Sequence, residues 1–401
     1  MLSKLAPRLG VSPSVIGLGT WQLGADWGDV SEADALAVLD ASAQAGVTFF
    51  DTADVYGDGR SEQVIGKWLA TNPAAGVFVA TKIGRRAPLD PSHYILANFR
   101  EWIDRSRTNL GQDTLDLVQL HCPPTAVLST DQVYDDLDTL VAEGAIGHYG
   151  VSVETADEAL AAIARPNVAS VQIVLNAFRL KPLERVLPAA AEAGVAIIAR
   201  VPLASGLLTG KYTVTTQFAE NDHRNYNRTG EAFDIGETFS GVDYEQGVAA
   251  AREFAAGAEA LGLTPSVAAI AWLAQLPEVT TVIPGARQSS RPLPTPAPVR
   301  LRSCLPDSLT TSSPDTTATF ARACTRAGSP TAFLLVRWLK IHRVRPRRRL
   351  LARGGQYGNA QRAHLRARRN YNEYRHGLGQ SERRDALDRR ARRWLPCLQI
   401  V

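Results

Sequence analysis

The chain of 401 residues holds only four cysteines, and three of them (Cys304, Cys324 and Cys397) fall after residue 287. No CxxC pair and no Cys/His spacing of a zinc site occurs, so neither a bound metal nor a disulfide framework is indicated. Apolar runs are short. None reaches the length that spans a bilayer, and the opening MLSKLAPRLGVSPSV lacks the apolar core of a secretory leader. The expectation is a soluble protein in a reducing, cytoplasmic setting, with no membrane partner. The glycine signatures of open α/β nucleotide-binding sheets, GxGxxG and GxxxxGK[ST], are also missing, which counts against a doubly wound dinucleotide fold. Lysine all but vanishes after residue 287, where Lys340 is the only one among 24 basic side chains.

What is there divides at the same place. Residues 1–287 carry 20 Lys and Arg against 34 Asp and Glu, while residues 288–401 carry 24 against 6. The expected organisation is an acidic folded unit, 1–287, followed by a basic tail of low order, 288–401. Across the acidic unit a single alternation repeats to the end. Short β-branched runs at 15–21, 47–53, 77–83, 115–121, 148–153, 170–175, 195–201 and 280–284 are separated by segments of helical spacing. The helices have readable ends. Ser31-Glu32-Ala33-Asp34 resembles a capping box, Thr264-Pro265 supplies a cap and a first-turn proline, and Gly111, Gly144 and Gly194 follow helix C-termini. Eight strands alternating with helices over this length predict a (β/α)8 TIM barrel, whose chemistry gathers at the C-terminal ends of the strands.

The polar residues obey that rule. Asp51 ends the second strand, Lys82 lies at the end of the third, His121 ends the fourth, and Tyr56 sits on the loop after Asp51. Taken singly, each has a plain structural reading: a helix cap, a rim charge, a core histidine, a surface aromatic. Four of them at successive strand ends of one barrel form a constellation. A phenol has an ordinary pKa near 10 and donates a proton poorly unless a cation lowers that value, and Lys82 is positioned to do so, held by Asp51. His121 would orient a substrate oxygen. The set suits general acid catalysis at a carbonyl, with a cofactor delivering the hydride.

The segments FFDTADVYGDGRSEQVIGKWL, VATKIG, LDLVQLHCP and GHYGVS resemble the successive signatures of the aldo-keto reductase superfamily, from about Leu9 to Arg287. The resemblance implies a catalytic tetrad of Asp51, Tyr56, Lys82 and His121, with Tyr56 as proton donor, an aldehyde or ketone as small-molecule substrate, and NADPH as cofactor with NADH as the alternative. It also implies cofactor contacts from Thr20, Trp21, Ser152 and Gln172. Further contacts would come from Pro202, Leu203, Ser205, Gly206, Leu207 and Lys211 on the loop after the seventh strand, and from Gly285 and Arg287 after the eighth. Arg200 stands where many relatives place an aromatic that stacks on nicotinamide. A cofactor-binding regulatory barrel resembling channel β-subunits, or an inactive barrel, is the alternative.

The resemblance stops after Arg287, where QSSRPLPTPAP replaces the expected helix, and its prolines are incompatible with one. The last barrel helix is thus expected to be lost or replaced by an irregular, largely disordered Arg/Pro-rich tail. That tail admits three readings: a basic arm for nucleic acid or an anionic surface, a second domain, or translation of a shifted reading frame. The last accounts best for a family match that ends inside a motif and for the excess of Arg over Lys, so nucleic acid is not the favoured partner. The oligomeric state is left open.

Overall fold

The structure, a computed structural model, describes residues 1–24, 27, 29–260 and 262–286. The expected tail at 288–401, the replaced last helix and Arg287 lie outside the described residues.

Eight parallel strands run in sequential order: β1 (Leu18–Gly19), β2 (Phe49–Asp51), β3 (Phe78–Ile83), β4 (Leu115–His121), β5 (Ile146–Val153), β6 (Val168–Val174), β7 (Ala196–Arg200) and β8 (Thr281–Val282). Backbone hydrogen bonds then join the last strand to the first: Gly17 donates to Val282 (2.8 Å), Val282 to Val15 (3.0 Å) and Gly19 to Pro284 (2.9 Å). This is the (β/α)8 barrel, and its sheet is brought round on itself by residues that precede the tail. Helices Glu32–Gln44, Arg60–Thr71, Leu96–Leu110, Asp131–Ala142, Ala156–Ile163 and Pro182–Ala193 follow β1 to β6 in turn. Tyr244–Glu259 and Pro265–Gln275 come between β7 and β8.

The strand alternation separates two environments. Residues two apart face the same side, and on the inner side Phe49, Ala80, Leu117, Ile198 and Ile283 pack together with Ala6 and Leu9 of the N-terminal turn. One alternation step or two further along the same strands stand Asp51, Lys82, His121 and Arg200. An apolar floor therefore lies beneath a polar rim. On the outer side, Phe50, Val118, Leu120, Val151 and Ile197 meet helix residues such as Ile65, Phe99, Ile103 and Leu137.

The helix ends follow their sequence signals. Ser31 accepts from the Asp34 amide, Thr264 caps Val267, and Gly111 and Gly194 take the left-handed conformation. The full reciprocal capping box lies elsewhere, between Thr155 and Glu158 at the start of Ala156–Ile163. Among the described residues no helix is long and apolar enough to cross a membrane.

Candidate active site

The rim residues converge. Lys82 and Asp51 are both almost wholly buried and form an ion pair, Nζ to Oδ1, of 2.5 Å. Lys82 also donates to the Thr52 carbonyl (2.7 Å) and to the Tyr56 hydroxyl (3.3 Å). The other carboxylate oxygen of Asp51 accepts from Gln172 (2.7 Å) and Gln119 (3.3 Å). Both Asp51 carboxylate oxygens are thus engaged, and its lysine has one donor left for the phenol. Burying this pair leaves no solvent to screen it, so charge and geometry are tightly held.

Tyr56 reaches the group because of its turn. Gly57 has φ +61°, and a Cβ there would lie 2.5 Å from the Gly24 carbonyl oxygen. Glycine lets the two loops touch. That approach stacks Trp21 on Tyr56, with ring centroids 5.9 Å apart and planes 17° from parallel. His121 meets Tyr56 edge-on at 6.0 Å. Burial, then the positive charges of Arg85, Lys82 and Arg200, hold the His121 imidazole well below the ordinary histidine range, so it is neutral at pH 7. Its Nδ1 is buried without a hydrogen-bond partner among the described residues.

One expectation changes direction. The Tyr56 pKa is raised above 10, not lowered. Burial dominates, and the negative charges of Asp51 and Glu237 oppose the lowering by Lys82. Lys82 itself is raised, because Asp51 and Tyr56 outweigh the effect of burial. The resting site therefore holds a protonated phenol beside a charged ammonium.

These residues open on one cleft. Thr20, Trp21, Gln172, Pro202, Leu203, Ser205, Gly206 and Gly285 line it together with Asp51, Tyr56 and His121. Thr20 and Gln172 use their side chains on Asp51, through its carbonyl and its carboxylate respectively. Three expected contacts are not on the cleft wall. Ser152 turns its hydroxyl toward the Cys122 sulfur (3.6 Å). Leu207 packs with Phe239, Val248 and Phe254 in an apolar cluster. Lys211, beyond the turn Ala204–Thr209, is exposed. The stretch after β7 is unusual: Val201, Ala204, Ser205 and Gly206 all have φ between +49° and +96°. Ser205 is fixed there by donating to the Glu237 carbonyl and accepting from the Phe239 amide, each at 3.0 Å. Successive turns of this kind aim backbone N–H groups into a concavity.

The cleft also has walls that the sequence did not announce: Gln22, Trp27, Arg85, Phe233 and Glu237. Arg85, a charge three residues past Lys82 at the end of a barrel strand, carried the usual signal of a rim residue. Trp27, Phe233 and Glu237 come from long connections with no periodicity to mark them. Arg200 pairs with Glu237 (2.5 Å) and Glu154 (3.2 Å). Cys122, Glu154 and Glu237 bring ligand-type atoms within 4.8 Å of one another, and the cation both carboxylates face is the Arg200 guanidinium. Burial pushes the Cys122 thiol up to about 12.

Residues 15–292 match the Aldo/keto reductase family. The chain belongs to that family. It is 34% identical over 283 residues to the uncharacterized oxidoreductase Rv2298 of Mycobacterium tuberculosis, covering 68% of this chain and 80% of that protein. To aldo-keto reductase yakc [NADP(+)] of Schizosaccharomyces pombe it is 32% identical over 217 residues, 52% of this chain and 64% of the relative. Against YqkF of Bacillus subtilis, also 32% identical, it spans 66% of the relative. Among solved structures, glycerol dehydrogenase AKR11B4 from Gluconobacter oxydans superposes with a TM-score of 0.57 at 28% identity, covering 71% of this chain and 86% of that one. An aldo-keto reductase from Klebsiella pneumoniae in complex with NADPH superposes at 0.53 with 23% identity, over 72% and 86% of the two chains. That last likeness is one of fold.

Proposed function

We propose that this aldo/keto reductase barrel, residues 1–287, reduces aldehydes or ketones to alcohols with NADPH, with Tyr56 as general acid. The observation that carries the reading is the contact of one buried ammonium, Lys82, with both the Asp51 carboxylate and the Tyr56 hydroxyl.

The residues on the cleft suit the nicotinamide-bearing half of such a cofactor. Buried polar atoms without partners among the described residues, Gln22 Oε1, Trp27 Nε1 and His121 Nδ1, belong to residues that line it. The left-handed turns at 201–206 offer backbone amides for phosphate. The NADP(+) in the name of the fission-yeast relative favours the phosphorylated form, and Arg200 in place of a stacking aromatic is a departure at that end of the site.

When bound, the cofactor supplies a hydride to the carbonyl carbon and is itself oxidised. The chain's own task is the oxygen. Neutral His121 orients it by hydrogen bonding, and Tyr56 delivers its proton as negative charge develops there. Lys82 does not need to lower the resting pKa of the phenol. It lies where the phenolate forms, so its charge stabilises the transition state more than the ground state. Asp51 positions Lys82 and keeps it charged. Trp21 and the segment around Phe233 shield the group from water.

Loss of the Lys82 charge tests this directly. Lys82→Met is expected to lower kcat for NADPH-dependent reduction of a neutral aldehyde by about 100- to 10,000-fold, with the NADPH dissociation constant from fluorescence quenching within a few-fold of the parent. Unchanged kcat would contradict the assignment.

A further inference from the structure

Every other buried cation of the cleft has an anion on it. Lys82 is answered by Asp51, and Arg200 by Glu237 and Glu154. Arg85 differs. It leaves the end of β3 three residues after Lys82, is half-buried, and lines the same cleft as Tyr56 and His121. Its charge is felt by His121. Its neighbour Arg86 turns outward onto Asp58, whereas Arg85 forms no hydrogen bond or ion pair with any described residue. The acids whose charge it senses, Glu237 and Glu154, are within ion-pair distance of Arg200 instead. A guanidinium cannot shed its proton, and holding it away from bulk water without a partner is costly. The same cleft is lined by the aromatic rings of Trp21, Trp27 and Phe233.

We propose that Arg85 is a specificity residue that binds a carboxylate on the substrate, and that the preferred substrates are aldehydes or ketones carrying a carboxylate on a flat apolar body. The inference rests on the reductase reading for the identity of the reacting group, but not for the anion site. A carboxylate matches the two-pronged guanidinium, the aromatic walls take the body, and the carbonyl then lies toward Tyr56 and His121. No further covalent step is involved.

The test compares 4-carboxybenzaldehyde with benzaldehyde in NADPH-dependent turnover by the full chain, its Arg85→Gln variant and its Arg85→Lys variant. The expected result is a ratio of kcat/KM, carboxylated over neutral, that falls about 10- to 100-fold in Arg85→Gln, chiefly through KM, and partly returns in Arg85→Lys. A ratio that does not move overturns the proposal, as does a variant whose only change is weaker NADPH binding. Calorimetric titration with 4-carboxybenzyl alcohol and benzyl alcohol needs no turnover and separates the two readings. If the parent chain reduces neither aldehyde yet binds the carboxylated alcohol through Arg85, the reductase reading falls and the anion site stands. If it binds both alcohols equally, the anion site falls whatever the turnover.

Discussion

At the scale of single residues, the site consists of charges whose partners are fixed by burial. Removing Lys82 leaves the Asp51 carboxylate inside the barrel with, among the described residues, two amide donors, Gln172 and Gln119. Lys82→Met is therefore expected to lose about 3–5 kcal/mol of stability, and the double variant Asp51→Asn/Lys82→Met to recover much of it in urea melts without recovering activity. Asp54 shows a second, separate burial effect. Burial and the nearby Glu62 push its carboxyl from 3.8 to about 7, against Arg86 and Arg105. The folded state thus binds this proton more readily than the unfolded chain, so the contribution favours folding at low pH and is lost as pH rises from about 4 through 7. Relative to Asp54→Asn, the parent Tm should fall between pH 5 and pH 8; a constant difference would contradict the assignment. The positions of Asp51, Lys82 and His121 were legible in the sequence because a barrel strand announces its C-terminal end. The raised pKa of Tyr56 was not, since it depends on Trp21 and Glu237 arriving from distant loops.

At the scale of elements, strand positions were legible to within a few residues, and β4 (Leu115–His121) coincides with its sequence run. The runs at 15–21 and 280–284 narrow to two-residue strands, β1 and β8, which meet through the isolated bridges Ile16–Val282 and Gly19–Gly285. Helix ends were legible where caps are local. Close helix approaches were not. Gly66, inside Arg60–Thr71, reads as a weak point of its helix, but a Cβ there would meet the Asn109 carbonyl oxygen at 2.4 Å and the Leu110 backbone at 3.0 Å. The glycine lets this helix press onto Leu96–Leu110, and the two together keep the Tyr56 turn in place. Gly66→Ala is expected to destabilise by about 1–3 kcal/mol through overpacking, despite alanine's better helix propensity. An increase in the urea midpoint would show that the two helices can part at no cost.

At the scale of the whole molecule, the described barrel is one frame with an apolar inner floor, a polar rim and a cover of loops. The cover is tied to the frame through Arg200 and Glu237, on β7 and on the segment that carries Phe233. Barrel class and the convergence of Asp51, Tyr56, Lys82 and His121 on one rim followed from periodicity and strand-end positions. The added wall residues Gln22, Trp27, Phe233 and Glu237 did not, because they come from the connections after β1 and β7, where spacing carries no signal. Family membership agrees with the frame and leaves the substrate to the wall, which is where Arg85 enters. In the proposed reaction the Tyr56 hydroxyl supplies the proton. Rates of NADPH oxidation with a neutral aldehyde, measured for the parent chain and Tyr56→Phe alongside NADPH binding, test it most directly. The expected result is a fall in kcat of about 100-fold or more with NADPH binding kept. Turnover by Tyr56→Phe close to that of the parent would contradict it.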